Sequence, residues 1–394
     1  MDNKKTVLTI FGTRPEVIKL FPVLKILKQD KDLNSIAVST SQHREMIDDL
    51  LKLFTIVPDY DLNIIRENQS LVDISTCALS GLDPILKRHR PNLVIVQGDT
   101  TTAFIGTLAA FYHKIPVGHV EAGLRSFDKM HPYPEEINRK LISVISDLYF
   151  APTIQNAKNL LDEKIDPRKI FITGNTVIDS LLYVANKNCG ALGTYLRRET
   201  LESTRMILVT AHRRENWGSP LENLCYALID LVKSFSDVEI VFPVHLNPNV
   251  RGIVFPLLSD QERIHLLDPL PYEAFVEAMD RAYFIITDSG GIQEEGPSFR
   301  KPILVFRQVT ERPEGVEGGG VKLIGLTREQ VFQEVAQLLR DESAYRSMVM
   351  DHNPYGDGHA AQRIIQGIHH YFNLADRPKD FIGEKIPLPL GITN

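Results

Sequence analysis

Asp99, Glu121 and Glu135 each follow a stretch that stiffens the chain: the apolar run NLVIVQ, the apolar run IPVGHV, and the proline-containing MHPYP. Brought together, such carboxylates repel one another as anions, so at least one should hold its proton more tightly than usual. Carboxyl groups of unequal proton affinity can take and give a proton at one carbon. Other uses of the same residues compete. Asp99 suits a helix cap, and the glutamates suit ion pairs with Arg125 and Arg139. A divalent metal is the weaker rival, because basic groups around the chain's phosphate-type motif already supply countercharge.

That motif is TDSGGIQEEGPS, in which Ser289, Gly290 and Gly291 fall where an apolar run gives way to a helix. Free N–H groups and the positive end of the helix dipole suit a phosphate or diphosphate, and glycine lets the backbone approach it closely. Glu295, inside the helix, is placed to accept from ribose hydroxyls, which points to a nucleotide. A serine N-cap followed by a glycine turn is the plainer reading. FGTRPEVIK sets Arg14 after the first apolar run, where a guanidinium can neutralise a diphosphate through two hydrogen bonds. Lys19 is either a second such cation or a solvated helix charge, and Arg312 in TERPEG is another candidate. His212 in AHRRENWG, beside Arg213 and Arg214, is placed to assist a leaving phosphate; His245 in PVHLNP is similarly placed. No GxGxxG opens the chain and no GxxxxGK[ST] occurs, which disfavours a dinucleotide cofactor and a P-loop.

Short apolar runs alternating with helical patterns must position these residues. In the first half the runs are TVLTIFG, SIAVSTS, NLVIVQGD, IPVGHVEAG, DLYFAPT and KIFITGN. In the second they are RMILVTAHR, VEIVFPVH, RIHLLDP, AYFIITDSGG and PILVF. Such alternation predicts α/β architecture with parallel sheets covered on both faces. The pattern loosens and restarts between Asp179 and Thr204, which predicts doubly wound domains at 1–180 and 181–370 facing a cleft. The helical GDGHAAQRIIQGIHHYF and the segment 371–394 that follows it are expected to cross back to the first. Ligands of open α/β sheets bind beyond the carboxyl ends of the strands, where the motifs above all fall.

The chain has 394 residues, enough for two such cores, with 43% hydrophobic and 24% charged residues. A net charge of −6 argues against a general nucleic-acid binder. Cys77, Cys189 and Cys225 form no CxxC pair, so neither a disulfide framework nor a zinc site is suggested. Neither a signal-peptide pattern nor an apolar stretch of membrane-spanning length appears, and a cytoplasmic protein is expected.

The ordered set FGTRPE, QGDT, HVEAGLRS, PEEINR, HRREN, PVHLNP, DSGGIQEE and TERPEG closely resembles the non-hydrolysing UDP-N-acetylglucosamine 2-epimerases. The likeness runs from about Val7 to Gly320 and more loosely beyond. It implies two Rossmann-like domains of the B-type glycosyltransferase fold, usually a homodimer, with no cofactor and no metal. It also implies reversible interconversion of UDP-N-acetylglucosamine and UDP-N-acetylmannosamine, the latter feeding bacterial surface polysaccharides. C2 of the sugar has no activating carbonyl, so UDP is expelled from C1 as C2 loses its proton, leaving a bound 2-acetamidoglucal. By the motif match, Asp99, Glu121 and Glu135 do the acid–base work and His212 assists the leaving UDP. Arg14, Lys19, Ser289, Gly290, Gly291 and Arg312 hold the diphosphate region, Glu295 the ribose, and Leu270 and Phe275 the uracil.

Some bacterial members of that family bind a second UDP-N-acetylglucosamine as activator, and Gln42, Glu136, Arg213 and His245 match those positions. Asn68 stands where those members would have arginine, and Glu45 where they would have glutamine. FRQVTERPE likewise departs from the commoner RDTTERPE. The alternatives are a hydrolysing 2-epimerase, a metal-independent UDP-sugar glycosyltransferase and a non-catalytic UDP-sugar sensor.

Overall fold

The apolar runs are rich in Val, Ile and Leu without polar alternation, the pattern of strands buried on both faces. In the computed structural model, which describes residues 4–41, 44–66, 69–187, 190–196 and 204–383, each of these runs contains a strand. The first sheet comprises β1 (Lys5–Phe11), β2 (Leu33–Ser39), β3 (Tyr60–Asp61), β4 (Leu93–Gln97), β5 (Val117–Val120), β6 (Leu148–Ala151) and β7 (Ile170–Ile172). It is seven-stranded, in the order β3-β2-β1-β4-β5-β6-β7, and its pairings are parallel. The second comprises β8 (Arg205–Thr210), β9 (Val238–Pro243), β10 (Ile264–Leu267), β11 (Phe284–Thr287), β12 (Ile303–Val305) and β13 (Val321–Leu323). It is six-stranded and parallel, in the order β10-β9-β8-β11-β12-β13.

Each sheet has one point where the winding reverses, between β1 and β4 in the first and between β8 and β11 in the second. Loops leaving neighbouring strands diverge there and open a crevice, the usual ligand position in this architecture. The segments FGTRPE and QGDT leave β1 and β4; AHRREN and DSGG leave β8 and β11.

Each sheet is sealed by its own core. In the first, Leu8, Ile10, Val94 and Val117 pack with Leu82 and Leu86 of helix Leu71–His89 and Ile142 of helix Glu135–Ile145. In the second, Val209, Ile240, Ile286 and Leu304 pack with Leu224, Leu228 and Val335 from flanking helices. Cys225 is buried in that second core and Cys77 is half-buried.

The chain divides into two compact units, one running up to Ser180 and resuming at Tyr355, the other spanning Leu181–Pro354. The return therefore comes earlier than the expected domain limit at 370. Helix Ala360–Tyr371, within the segment GDGHAAQRIIQGIHHYF, packs on helix Arg14–Gln29 of the first unit. The Asp179 carboxylate fixes its start by accepting from Ala360 N–H (3.2 Å) and Ala361 N–H (2.8 Å). The apolar face Ala361, Ile364, Ile365 and Ile368 has to be covered, and this packing covers it. Among the described residues, no helix is long and apolar enough to cross a membrane.

Candidate active site

In the first unit, the register of β4 and β5 sets Gln97 opposite Val120, so the two strands deliver Gly98–Asp99 and Glu121 side by side. Glu121 lies in the left-handed region at φ 65°, uncommon for a residue with a side chain. Its carboxylate is held on several sides. Lys19 Nζ is 2.6 Å from Oε1 and 2.7 Å from Oε2, the Gln97 amide donates to Oε2, and Asn175 Nδ2 donates to Oε1 at 3.3 Å. Lys19, a diphosphate candidate in the sequence, is thus bound to a candidate acid.

Asp99 Oδ2 accepts a two-pronged bond from Arg139, from Nε at 2.8 Å and Nη2 at 2.7 Å. The neighbouring Asn138 Nδ2 donates to the Asp99 carbonyl at 2.9 Å. These residues belong to helix Glu135–Ile145, so the helix start carrying Glu135 is tied to the turn carrying Asp99. Glu135 is half-buried, and its Oε2 is buried without a hydrogen-bond partner. Glu136 is buried and committed elsewhere, accepting from Ser126 N–H (2.9 Å), Phe127 N–H (3.2 Å) and Arg139 Nη1 (3.2 Å). Of the two expected carboxylate partners, Arg139 serves Asp99 and Glu136. Arg125 instead forks onto Glu163, at 2.8 and 2.7 Å. His131 is exposed and pairs with Asp128 at 3.0 Å.

Two buried residues that the sequence reading did not single out hold this corner together. Glu16, fully buried, accepts from Gly12 N–H (3.0 Å), Thr13 N–H (2.8 Å) and Thr100 Oγ1–H (2.8 Å). It therefore joins the loop before Arg14 to the residue after Asp99. Burial pushes its carboxyl up to about 7 against these bonds. Gly12 has no alternative, since a Cβ there would lie 1.8 Å from Thr40 Oγ1. His119, also fully buried, is hydrogen-bonded through Nε2 to the Gly98 carbonyl at 2.7 Å. Burial lowers its pKa to about 4, so the ring is neutral and Nε2–H donates. The signal for both was a polar residue inside a motif, Glu16 in FGTRPE and His119 in HVEAGLRS.

In the second unit, Ser289 is the N-cap of the six-residue helix Gly290–Glu295. A Cβ placed on Gly290 would meet Arg213 Nη2 and Arg312 Nη2, each at 3.6 Å. Two guanidinium groups thus converge on the backbone that carries the phosphate-type motif. Arg312 is oriented by Glu294, to which its Nε donates, and Glu294 is buried. Arg307, buried nearby, lies 3.4 Å from Glu215 and 3.8 Å from Glu311. Burial lowers the Arg307 pKa, and Arg213 lowers it further. Glu295 is buried and accepts from the Tyr272 hydroxyl at 3.1 Å. That bond sets DPLPYEAF, with Leu270 buried and Phe275 half-buried, beside the helix of the phosphate-type motif. Its Oε2 is 3.9 Å from where a Gly291 Cβ would stand.

His212 stacks on His245, ring centroids 5.6 Å apart and 20° from parallel. Asp288, fully buried, accepts from His212 N–H and Arg213 N–H, each 2.9 Å, and from Asn216 Nδ2 at 3.0 Å. Arg14 is half-buried at the first position of its helix. Gln42, Asn68 and the side chain of Glu45 lie outside the described residues.

Residues 25–369 match the protein family described as UDP-N-acetylglucosamine 2-epimerase. The UDP-N-acetylglucosamine 2-epimerase of Escherichia coli K12 is 49% identical over 369 residues, 92% of this chain and 98% of that one. A Neisseria meningitidis UDP-GlcNAc 2-epimerase bound to UDP-GlcNAc superposes with TM-score 0.84 at 45% identity, covering 93% of this chain and 100% of that one. A UDP co-structure of the S. aureus protein MnaA gives 0.86 at 47%, covering 96% and 100%. With two Rossmann-like parallel sheets and this breadth of likeness, the chain belongs to the UDP-N-acetylglucosamine 2-epimerase family.

Proposed function

We propose that the chain interconverts UDP-N-acetylglucosamine and UDP-N-acetylmannosamine without net hydrolysis. A base takes the C2 proton, the C2–H electron pair becomes the C1=C2 double bond, and the C1–O pair leaves with UDP. The 2-acetamidoglucal is then protonated at C2 on the other face while a UDP oxygen re-forms the C1–O bond. Atoms and electrons balance without an oxidant, a reductant or water. The observation that carries this reading is the contrast among the acids Asp99, Glu121 and Glu135 of the first unit. Glu121 is surrounded by fixed donors from Lys19, Gln97 and Asn175, which favours the ionised form. Asp99 is oriented by Arg139, and Glu135 keeps one buried oxygen without a partner, free to take or give a proton. Arg213 and Arg312 neutralise the departing diphosphate, with Arg14 as a further cation, and His212 assists its departure. Glu295 serves the ribose, and Leu270 and Phe275 the uracil.

We also read the protein as a cytoplasmic homodimer supplying precursors for bacterial surface polysaccharides, with a second, activating UDP-sugar beside His245 and Arg213, the latter shared with the substrate diphosphate. The side-by-side helices Thr101–Tyr112 and Glu135–Ile145 expose Phe111, Tyr112, Leu141 and Val144 near their C-terminal ends, apolar residues suited to a subunit contact. Incubation with UDP-N-acetylglucosamine in deuterated water tests the chemistry. Both intact UDP-sugars, deuterated at C2, are expected. Free N-acetylmannosamine with UDP would establish a hydrolysing enzyme. Turnover only with an added acceptor would mark a glycosyltransferase, and binding without exchange a sensor.

A further inference from the structure

Asp288 follows β11 directly, and its side chain is fully buried. A buried carboxylate needs hydrogen-bond donors to offset its lost hydration. Here the donors are unequally shared. Oδ2 takes His212 N–H, Arg213 N–H and the Asn216 amide, whereas Oδ1 is buried and takes none. The His212 ring is its neighbour: Nδ1 stands 3.2 Å from Oδ1 without meeting hydrogen-bond alignment. The Trp217 indole N–H donates to the His212 carbonyl at 3.2 Å and steadies the backbone beneath the ring.

Three donors on Oδ2 already suffice to hold the loop, so the second oxygen is surplus to a structural role. We propose that Asp288 is a positioning residue for His212: its Oδ1 fixes the neutral tautomer with hydrogen on Nδ1 and leaves Nε2 to the leaving diphosphate. A lone pair on Nδ1 would face a carboxylate oxygen and be repelled, whereas Nδ1–H supplies the donor that oxygen lacks. The ring is neutral at rest, because burial lowers its pKa, and the His245 ring and Arg213 lower it further; Asp288 and Glu215 oppose them. The anionic diphosphate draws a proton from solvent onto Nε2, the imidazolium is stabilised by the carboxylate already beside Nδ1–H, and Nε2–H then donates to the leaving oxygen, the logic of an imidazole oriented by a buried acid. The catalytic half of this inference rests on the reading of His212 given above; the tautomer half does not.

The Asp288→Asn variant separates structure from positioning. The three donors around the Oδ2 position require the amide oxygen there, so the amide NH2 must face Nδ1. It then donates to Nδ1 and selects the opposite tautomer, with hydrogen on Nε2. Nitrogen-15 NMR of histidine-labelled protein, with the His212 signals assigned by their loss in His212→Gln, reads the tautomer directly. The wild-type protein should show hydrogen on Nδ1 and the Asp288→Asn variant hydrogen on Nε2. With UDP-N-acetylglucosamine, kcat should fall about 10²–10³-fold while KM and UDP affinity stay within about threefold. Hydrogen on Nε2 in the wild type, or an unchanged tautomer in the variant, would overturn the proposal. Equal losses of kcat, UDP affinity and melting temperature would reduce Asp288 to a loop anchor. Full turnover in His212→Gln alongside the expected tautomer switch would overturn the catalytic reading of His212 and leave the positioning contact standing.

Discussion

Lys19 Nζ lies 2.6 Å from Oε1 and 2.7 Å from Oε2 of Glu121, joining the first helix of the chain to the end of β5. The side chains are only 17% and 8% exposed, so the pair is poorly screened by water. The cation removes much of the cost of keeping a carboxylate there.

Lys19→Met should therefore lose both stability and turnover. A hydrogen bond to a buried charged group is worth about 1.5–3 kcal/mol, and urea unfolding should show a loss of that order. Turnover should fall at least tenfold while UDP affinity, measured by calorimetry, changes little. The opposite pattern, weak UDP binding with normal stability, would return Lys19 to the diphosphate. Glu121→Gln should cost about 10²–10⁴-fold in turnover, because the shape is kept and proton transfer is not.

Arg139 grips Asp99 through Nε and Nη2 and reaches Glu136 through Nη1. Lysine cannot reproduce that planar fork. Arg139→Lys is expected to lower kcat about 10–100-fold with UDP affinity retained, since the variant misplaces an acid and leaves the nucleotide contacts alone. Wild-type kcat in this variant would show that the orientation of Asp99 does not matter to the chemistry.

Gly290 offers a test of the anion site that spares the fold. A methyl group there meets the Arg213 and Arg312 guanidiniums at 3.6 Å each, an ordinary contact distance. Gly290→Ala should melt within a few degrees of the wild type, because alanine also favours helix. It should nevertheless bind UDP at least tenfold more weakly, having filled the space a phosphate needs. Unchanged UDP affinity would move the diphosphate away from this helix start.

Stability should carry two opposed pH dependences. Glu16, raised to about 7 from its ordinary 4.5, binds its proton more tightly folded than unfolded. Its contribution is full below about 4.5 and is lost as pH rises through 7. His119, lowered to about 4 from 6.5, contributes fully above 6.5 and is lost as pH falls through 4. Each is worth on the order of 3 kcal/mol across its window, from about 1.4 kcal/mol per pKa unit. Urea unfolding from pH 4 to 7.5 should show that Glu16→Gln makes stability rise more steeply with pH than in the wild type. His119→Gln should make it rise less steeply. Parallel curves for all three proteins would mean that neither group titrates differently on folding.

The alternation of apolar runs and helical patterns was enough to determine the two parallel sheets, because a strand buried on both faces must be apolar almost throughout. β3 and β13 escaped that signal. Tyr60–Asp61 and Val321–Leu323 are two- and three-residue edge strands, and an edge strand needs neither length nor continuous hydrophobicity. The motif residues were legible as chemistry, since Asp99, Glu121, His212 and Gly290 each follow a strand. Their partners were not. Lys19 and Glu121 are 102 residues apart, Asp99 and Arg139 are 40, and His212 and Asp288 are 76. Only strand order and register bring such pairs within hydrogen-bond reach. The same holds for Glu16 and His119, whose perturbed proton affinities arise from burial that no local stretch of sequence specifies. Composition and periodicity determined which elements form, because those are local preferences summed along the chain. Which charge meets which was left to the tertiary structure, because a hydrogen bond depends on positions to within a fraction of an ångström and the sequence orders residues along a line.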